Sequence, residues 1–97
     1  MRLRVRLRWP VSILQGQSRA RVLSTVTENV SSRGFCCVVD EPLALGESLA
    51  CILGFQPRHD SHLNRGLRCE VQVVWVRVTG DGRFGIGCRI DDYTIMA

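Results

Sequence analysis

The chain has 97 residues, 45% apolar and 23% charged, a balance that suits one small folded domain and excludes a disordered segment. No stretch approaches the roughly eighteen consecutive apolar residues of a membrane-spanning helix, and the N-terminus alternates Arg with apolar residues where a signal peptide would be continuously apolar. The net charge of +4 is unevenly spread, since residues 1–34 hold seven Arg against the single acid Glu28 while residues 35–97 hold six Arg against eight acids. An anionic partner is expected on the basic N-terminal part.

In chain order the dominant period is two, the period of strands. MRLRVRLRW sets Leu3, Val5, Leu7 and Trp9 on one side and Arg2, Arg4, Arg6 and Arg8 on the other, a core face backed by a ridge of guanidiniums. Pro10 is expected to interrupt or end that pairing, with VSIL as its continuation and QGQS at 15–18 as a hairpin loop. Residues 20–28, rich in Val and Thr, predict a second strand. NVSSRG, residues 29–34, reads as the turn before GFCCVV, the third.

After the turn-like DEPLALG, the segment ESLACILGF places Leu49, Cys51, Leu53 and Phe55 on one face. QPRHDSHLNRG, 56–66, is polar and reads as the longest loop. LRCEVQVVWVRV then aligns Leu67, Cys69, Val71, Val73 and Trp75; Thr79-Gly80-Asp81-Gly82 signals a tight hairpin; and RFGIGCRI returns with Phe84, Ile86, Cys88 and Ile90 inward. Six short strands without a helical period predict an all-β fold, a small six-stranded antiparallel barrel occupying 1–97 as one domain.

The chemistry on offer is that of binding. Cys36, Cys37, Cys51, Cys69 and Cys88 have no metal-ligand spacing and fall mostly at apolar strand positions, so they read as buried thiols in a reducing compartment. Cys36 and Cys37 point to opposite faces, one core and one outer. His59-Asp60-Ser61-His62 gathers metal-binding and hydrolytic residue types but lacks a third convergent ligand. No paired carboxylates, phosphate loop or nucleophile with a base occurs, so neither a metal site nor an enzyme is expected. NVSSRG itself has two readings. Asn29 and Ser31 can hydrogen-bond their own backbone and Gly34 can adopt a positive φ, as any turn requires. The same residues can also cradle a base edge, with Asn29 as donor and acceptor, Ser31 as a short hydroxyl and Gly34 allowing close approach.

An Arg-x-x-x-Arg pair near the start, a strand-hairpin-strand and then Asn29-x-Ser31-x-x-Gly34 resemble the PilZ domain, the bacterial receptor module for cyclic di-GMP. EPLALGESLACIL is similar to that family's proline-leucine-x-x-glycine entry to its fourth strand, and VQVVWVRVTGDGRFGIGCRIDD to its closing hairpin. The resemblance implies that Arg2 and Arg6, with Asn29, Ser31 and Gly34, bind cyclic di-GMP, because arginine can pair with phosphates and with the O6 and N7 acceptors of guanine. Arg4 and Arg8 satisfy the same spacing; the family's usual distance between the second arginine and Pro10 favours Arg2 and Arg6. It further implies a cytoplasmic bacterial protein without a cofactor, passing the second-messenger level to a protein effector or fused module by a ligand-induced conformational change. Two departures stand out: little chain precedes Arg2, and DDYTIMA leaves the family's C-terminal helix short or absent. A PilZ-like adaptor that has lost nucleotide binding is the alternative. A nucleic-acid-binding barrel fits less well, because Trp9 lies opposite the arginines, and neither DNA or RNA binding nor membrane insertion is expected.

Overall fold

The structure is a computed structural model that describes residues 8–15, 21–54 and 66–96. Six strands are present, β1 (Pro10–Gln15), β2 (Arg21–Ser31), β3 (Gly34–Val39), β4 (Ser48–Gly54), β5 (Gly66–Val78) and β6 (Phe84–Met96). They close into an antiparallel barrel in the order β1-β2-β3-β6-β5-β4. Closure leaves each strand a partner on both sides, so the predicted six-stranded antiparallel barrel is the observed one.

Alternation builds the interior. Val11 and Ile13 of β1, Phe35, Cys37 and Val39 of β3, Leu49, Cys51 and Leu53 of β4, Cys69, Val71 and Val73 of β5, and Ile86 and Cys88 of β6 are all buried. Each such side chain removed from water stabilises the fold by about 1.5–3 kcal/mol when it is as large as Val, Leu or Ile. Burial raises the thiols of Cys37 and Cys88 from 9.0 to about 12, with neighbouring thiols adding to the effect, and it pushes up Cys51 and Cys69 as well. The cysteines are free, and Cys36 is half-buried on the outer side of β3, as its parity requires.

Several boundaries differ from those read in the sequence. Pro10 is the first residue of β1, with VSIL following it in the strand; it stands opposite Val26, where a missing N–H is tolerated, and the pairing it was expected to end lies outside the described residues. β2 runs on to Ser31, so the turn shrinks to Ser32 and Arg33, with Asn29 and Ser31 inside the ladder. β5 and β6 span 13 residues each and are not short, and DDYTIM continues β6. Their hairpin turns where it was expected, with Gly82 at φ 82° and Thr79 N–H donating to the Arg83 carbonyl at 2.8 Å. The predicted strand over residues 2–7, most of the 15–18 loop and the 56–65 loop with His59, Asp60, Ser61 and His62 lie outside the described residues. Among the described residues no helix is long and apolar enough to cross a membrane.

Candidate ligand-binding site

Three register shifts interrupt the ladders; one leaves Asp91 of β6 extra opposite Glu70 and Val71, and the two on β2 and β5 decide which side chains face outward on one side of the barrel. Along β2, Thr27 pairs with Cys37 but Asn29 pairs with Cys36, so Glu28 is an extra residue in the ladder. A one-residue insertion exchanges inside for outside in everything that follows. Thr27 is therefore fully buried, Val30 packs against the core, and Asn29 and Ser31 are turned to the outer surface. Along β5, Val73 pairs with Cys88 and Trp75 with Gly87, which makes Val74 the extra residue there. Val76 then returns to the core, and Trp75 lies outside with 37% of its surface exposed. The sequence expectation that Trp75 shares the inward face of Val71 and Val73 is thus corrected, and the cause is the bulge.

The consequence is a pair of outward-facing rows that cross four strands. One joins Asn29, Cys36, Gly87 and Trp75; the other joins Ser31, Gly34, Arg89 and Gln72. Between them lies a cleft of about 370 Å³, within the range of small-molecule sites. Its floor is made of residues with little or no side chain. A Cβ on Gly87 would lie 2.1 Å from Nε1 of Trp75, so the indole rests directly on that glycine, and the Arg77 guanidinium stands 5.1 Å from its ring centre. Trp75 forms one wall of the cleft.

Gly34 earns its place differently from the sequence expectation. It does not have a positive φ; among the described glycines Gly46 and Gly82 do. Instead, a Cβ at Gly34 would lie 2.2 Å from the Cys88 carbonyl oxygen, a clash with backbone that no rotamer change relieves. Close strand approach is what this position requires.

The side chains around the cleft are partly committed. Ser31 Oγ accepts from Arg33 N–H at 3.3 Å and donates to the Gly34 carbonyl at 3.4 Å, long bonds that hold the turn lightly. The Arg33 carbonyl accepts from Ile90 N–H at 2.8 Å and ties the turn to β6. Arg89 donates through Nε to Asp91 at 2.8 Å and through Nη2 to Gln72 at 2.6 Å. Gln72 in turn donates to the Gly46 carbonyl at 3.3 Å.

Of the residues singled out from sequence, Asn29, Ser31 and Gly34 come together in this cleft. Arg2 and Arg6, and Arg4 of the other frame, lie outside the described residues; Arg8 is exposed. The chain entering β1 is nonetheless anchored beside the first bulge, because Thr27 N–H donates to the Trp9 carbonyl at 2.8 Å and Trp9 N–H to Thr27 Oγ1 at 2.9 Å. Sequence reasoning missed Arg33, Trp75 and Arg89 as cleft residues. The Gly85-x-Gly87 spacing opposite a tryptophan strand was the one available signal, since a large ring on a sheet surface needs a partner without a side chain. No cluster of His, Cys, Asp or Glu among the described residues could hold a metal ion.

Residues 2–96 match the PilZ domain family. Among solved structures, that of the Bacillus subtilis inhibitor of motility (MotI/DgrA) is similar, with a TM-score of 0.74 at 18% identity over 97% of this chain. That likeness is one of fold, and the chain spans 43% of the length of that protein. Comparison with curated proteins returned no match. With a family match that runs through every strand, this chain belongs to the PilZ domain family.

Proposed function

We propose that this domain is a cyclic di-GMP receptor that conveys the level of the second messenger to a protein partner or fused module, with no catalytic role. The carrying observation is the outward presentation of Asn29, Ser31 and Gly34 in one cleft, beside Arg33 and Arg89, by the register shift in β2. Asn29 offers a donor and an acceptor to a guanine edge, and among the described residues its amide has no other hydrogen-bond partner. Cyclic di-GMP adds phosphates and guanine O6 and N7 acceptors, for which arginine forks are suited.

Arg2 and Arg6 are the proposed closing residues. The Trp9–Thr27 pairing anchors the start of β1 beside the register shift that presents Asn29, and engagement of Arg2 and Arg6 by a bound ligand would change the surface a partner meets. Family membership supports this reading, and the name of the similar solved protein, an inhibitor of motility, fits action through another protein. Such a receptor would work in the bacterial cytoplasm.

A second reading is a nucleotide-independent adaptor. It is favoured by Tyr93 and Ile95, which stand 60% and 71% exposed near the end of β6 where a partner could cover them. One titration separates the two. The purified chain is titrated calorimetrically with cyclic di-GMP, with GTP and a short single-stranded RNA as controls and Arg6→Ala and Ser31→Ala beside it. Saturable heat with the cyclic dinucleotide alone, lost in both variants, is expected; silence from the folded native protein would hand the function to the adaptor reading.

A further inference from the structure

We infer that Arg89 reads the guanine edge in this cleft and sets selectivity for guanine over adenine, an inference that rests on the receptor function proposed above. Its place in the fold is the first ground. Arg89 stands opposite Gly34 on β6, and Gly34 stands opposite Ser31 on β2, so the close strand approach that Gly34 permits puts the Ser31 hydroxyl and the Arg89 guanidinium in one row along the cleft. The neighbouring row supplies Asn29 on one side and the Trp75 indole, flat on Gly87, on the other. A planar ring entering the cleft therefore meets small floor residues beneath it and polar groups at its edges.

The second ground is orientation. Arg89 is braced from two directions, Nε by Asp91 at 2.8 Å and Nη2 by Gln72 at 2.6 Å, while Gln72 is itself fixed to the Gly46 carbonyl. A braced guanidinium loses less freedom when it binds than a free one does. The bracing consumes Nε–H and one Nη2 hydrogen and leaves the Nη1 hydrogens and the second Nη2 hydrogen uncommitted, the end-on fork that pairs with two adjacent acceptors. The Arg77 guanidinium lies over the Trp75 indole and is engaged there.

The third ground is the chemistry of the edge. Guanine presents two acceptors, O6 and N7, to such a fork, whereas adenine replaces O6 with an amino donor that would face arginine hydrogens. Arg89 thus rewards guanine and penalises adenine, and the discrimination follows from the fork more than from its charge.

The test is calorimetric titration of the 97-residue chain with cyclic di-GMP and with cyclic di-AMP, for the native protein, Arg89→Lys, Arg89→Met and Gln72→Ala. The native chain is expected to prefer cyclic di-GMP. Both Arg89 variants should lose roughly tenfold to a hundredfold in cyclic di-GMP affinity. Their cyclic di-AMP affinity should hold or rise, which narrows the ratio, and Gln72→Ala should move the same way by a smaller factor. Native-like binding and selectivity in Arg89→Lys would overturn the inference by showing that a point charge suffices. Equal losses for both dinucleotides in both variants would overturn it too, by assigning Arg89 to phosphate or to structure. Thermal melts accompany each variant; should Arg89→Met fail to fold, Arg89→Lys decides. A native chain that binds neither dinucleotide removes the receptor reading itself, an outcome separate from native binding with unaltered Arg89 variants.

Discussion

The two sides of the barrel are built to different rules. Where β1 joins β2 and β4, and β4 joins β5, the ladders run without a register shift, and Val11, Ile13, Cys51 and Leu53 alternate cleanly into the core. Where β2 meets β3 and β5 meets β6, extra residues break the register, glycines replace side chains on the outer surface, and the cleft appears. The regular side secures the fold. The bulged side takes its geometry from departures that cost pairing, which is how β-sheets commonly aim side chains at ligands.

High pH offers the severest test of that division, because the buried thiols belong to both sides. Unfolded cysteines release a proton near 9.0, while Cys37 and Cys88 hold theirs until about 12. Between those values the unfolded chain binds fewer protons than the folded one, so stability is whole below pH 9.0 and declines as pH rises toward about 12. Urea midpoints measured across that window should fall steadily, and Cys88→Ala should flatten the slope. A transition in which one side melts first would show that the barrel is not a single cooperative unit.

Next comes the regular side alone. Ile13 is fully buried, and Ile13→Ala should cost about 2–5 kcal/mol in denaturant melts. Ligand affinity of the folded fraction should be unchanged; a fall in affinity would mean that the cleft leans on β1. Gly34→Ala should cost less, about 1–3 kcal/mol, since a strand must shift to relieve the contact with the Cys88 carbonyl. It should abolish binding as well. Gly87→Ala meets a side chain instead of backbone, so the Trp75 indole can swing aside. Its stability should change by less than about 1 kcal/mol while tryptophan emission shifts to the red, marking an effect confined to the site.

Asp81→Asn should matter least. The Thr79 hydroxyl, then the Arg83 backbone N–H, hold the Asp81 carboxyl below its ordinary 3.8. That contribution is present above pH 3.8 and lost as pH falls through the lower folded value, a small acid-limb difference between native and variant melts.

Much of the barrel was legible in the sequence because burial enforces parity. Cys51 and Leu53, or Ile86 and Cys88, could be assigned inward from period two alone, and the structure agrees. The bulges were not legible. Around Val73, Val74, Trp75 and Val76 both parities are apolar, so the pattern cannot reveal where one residue is skipped. Around Thr27, Glu28 and Asn29 both parities are polar, with the same result. Resemblance found Asn29, Ser31 and Gly34 without that knowledge, but not Arg89, whose cleft position depends on the pairing of β6 with β3.

Barrel closure also dictates the order in which the molecule can assemble. β3 receives its second partner only from β6, Gly34 opposite Arg89, so the ring stays open until the final strand has been synthesised. A chain emerging from the ribosome can form the β1–β2–β3 meander and add β4 to the free side of β1, but it exposes the edges of β3 and β5 until β6 has emerged. Such non-local closure slows folding and makes the nascent chain a natural client for chaperones that shield strand edges.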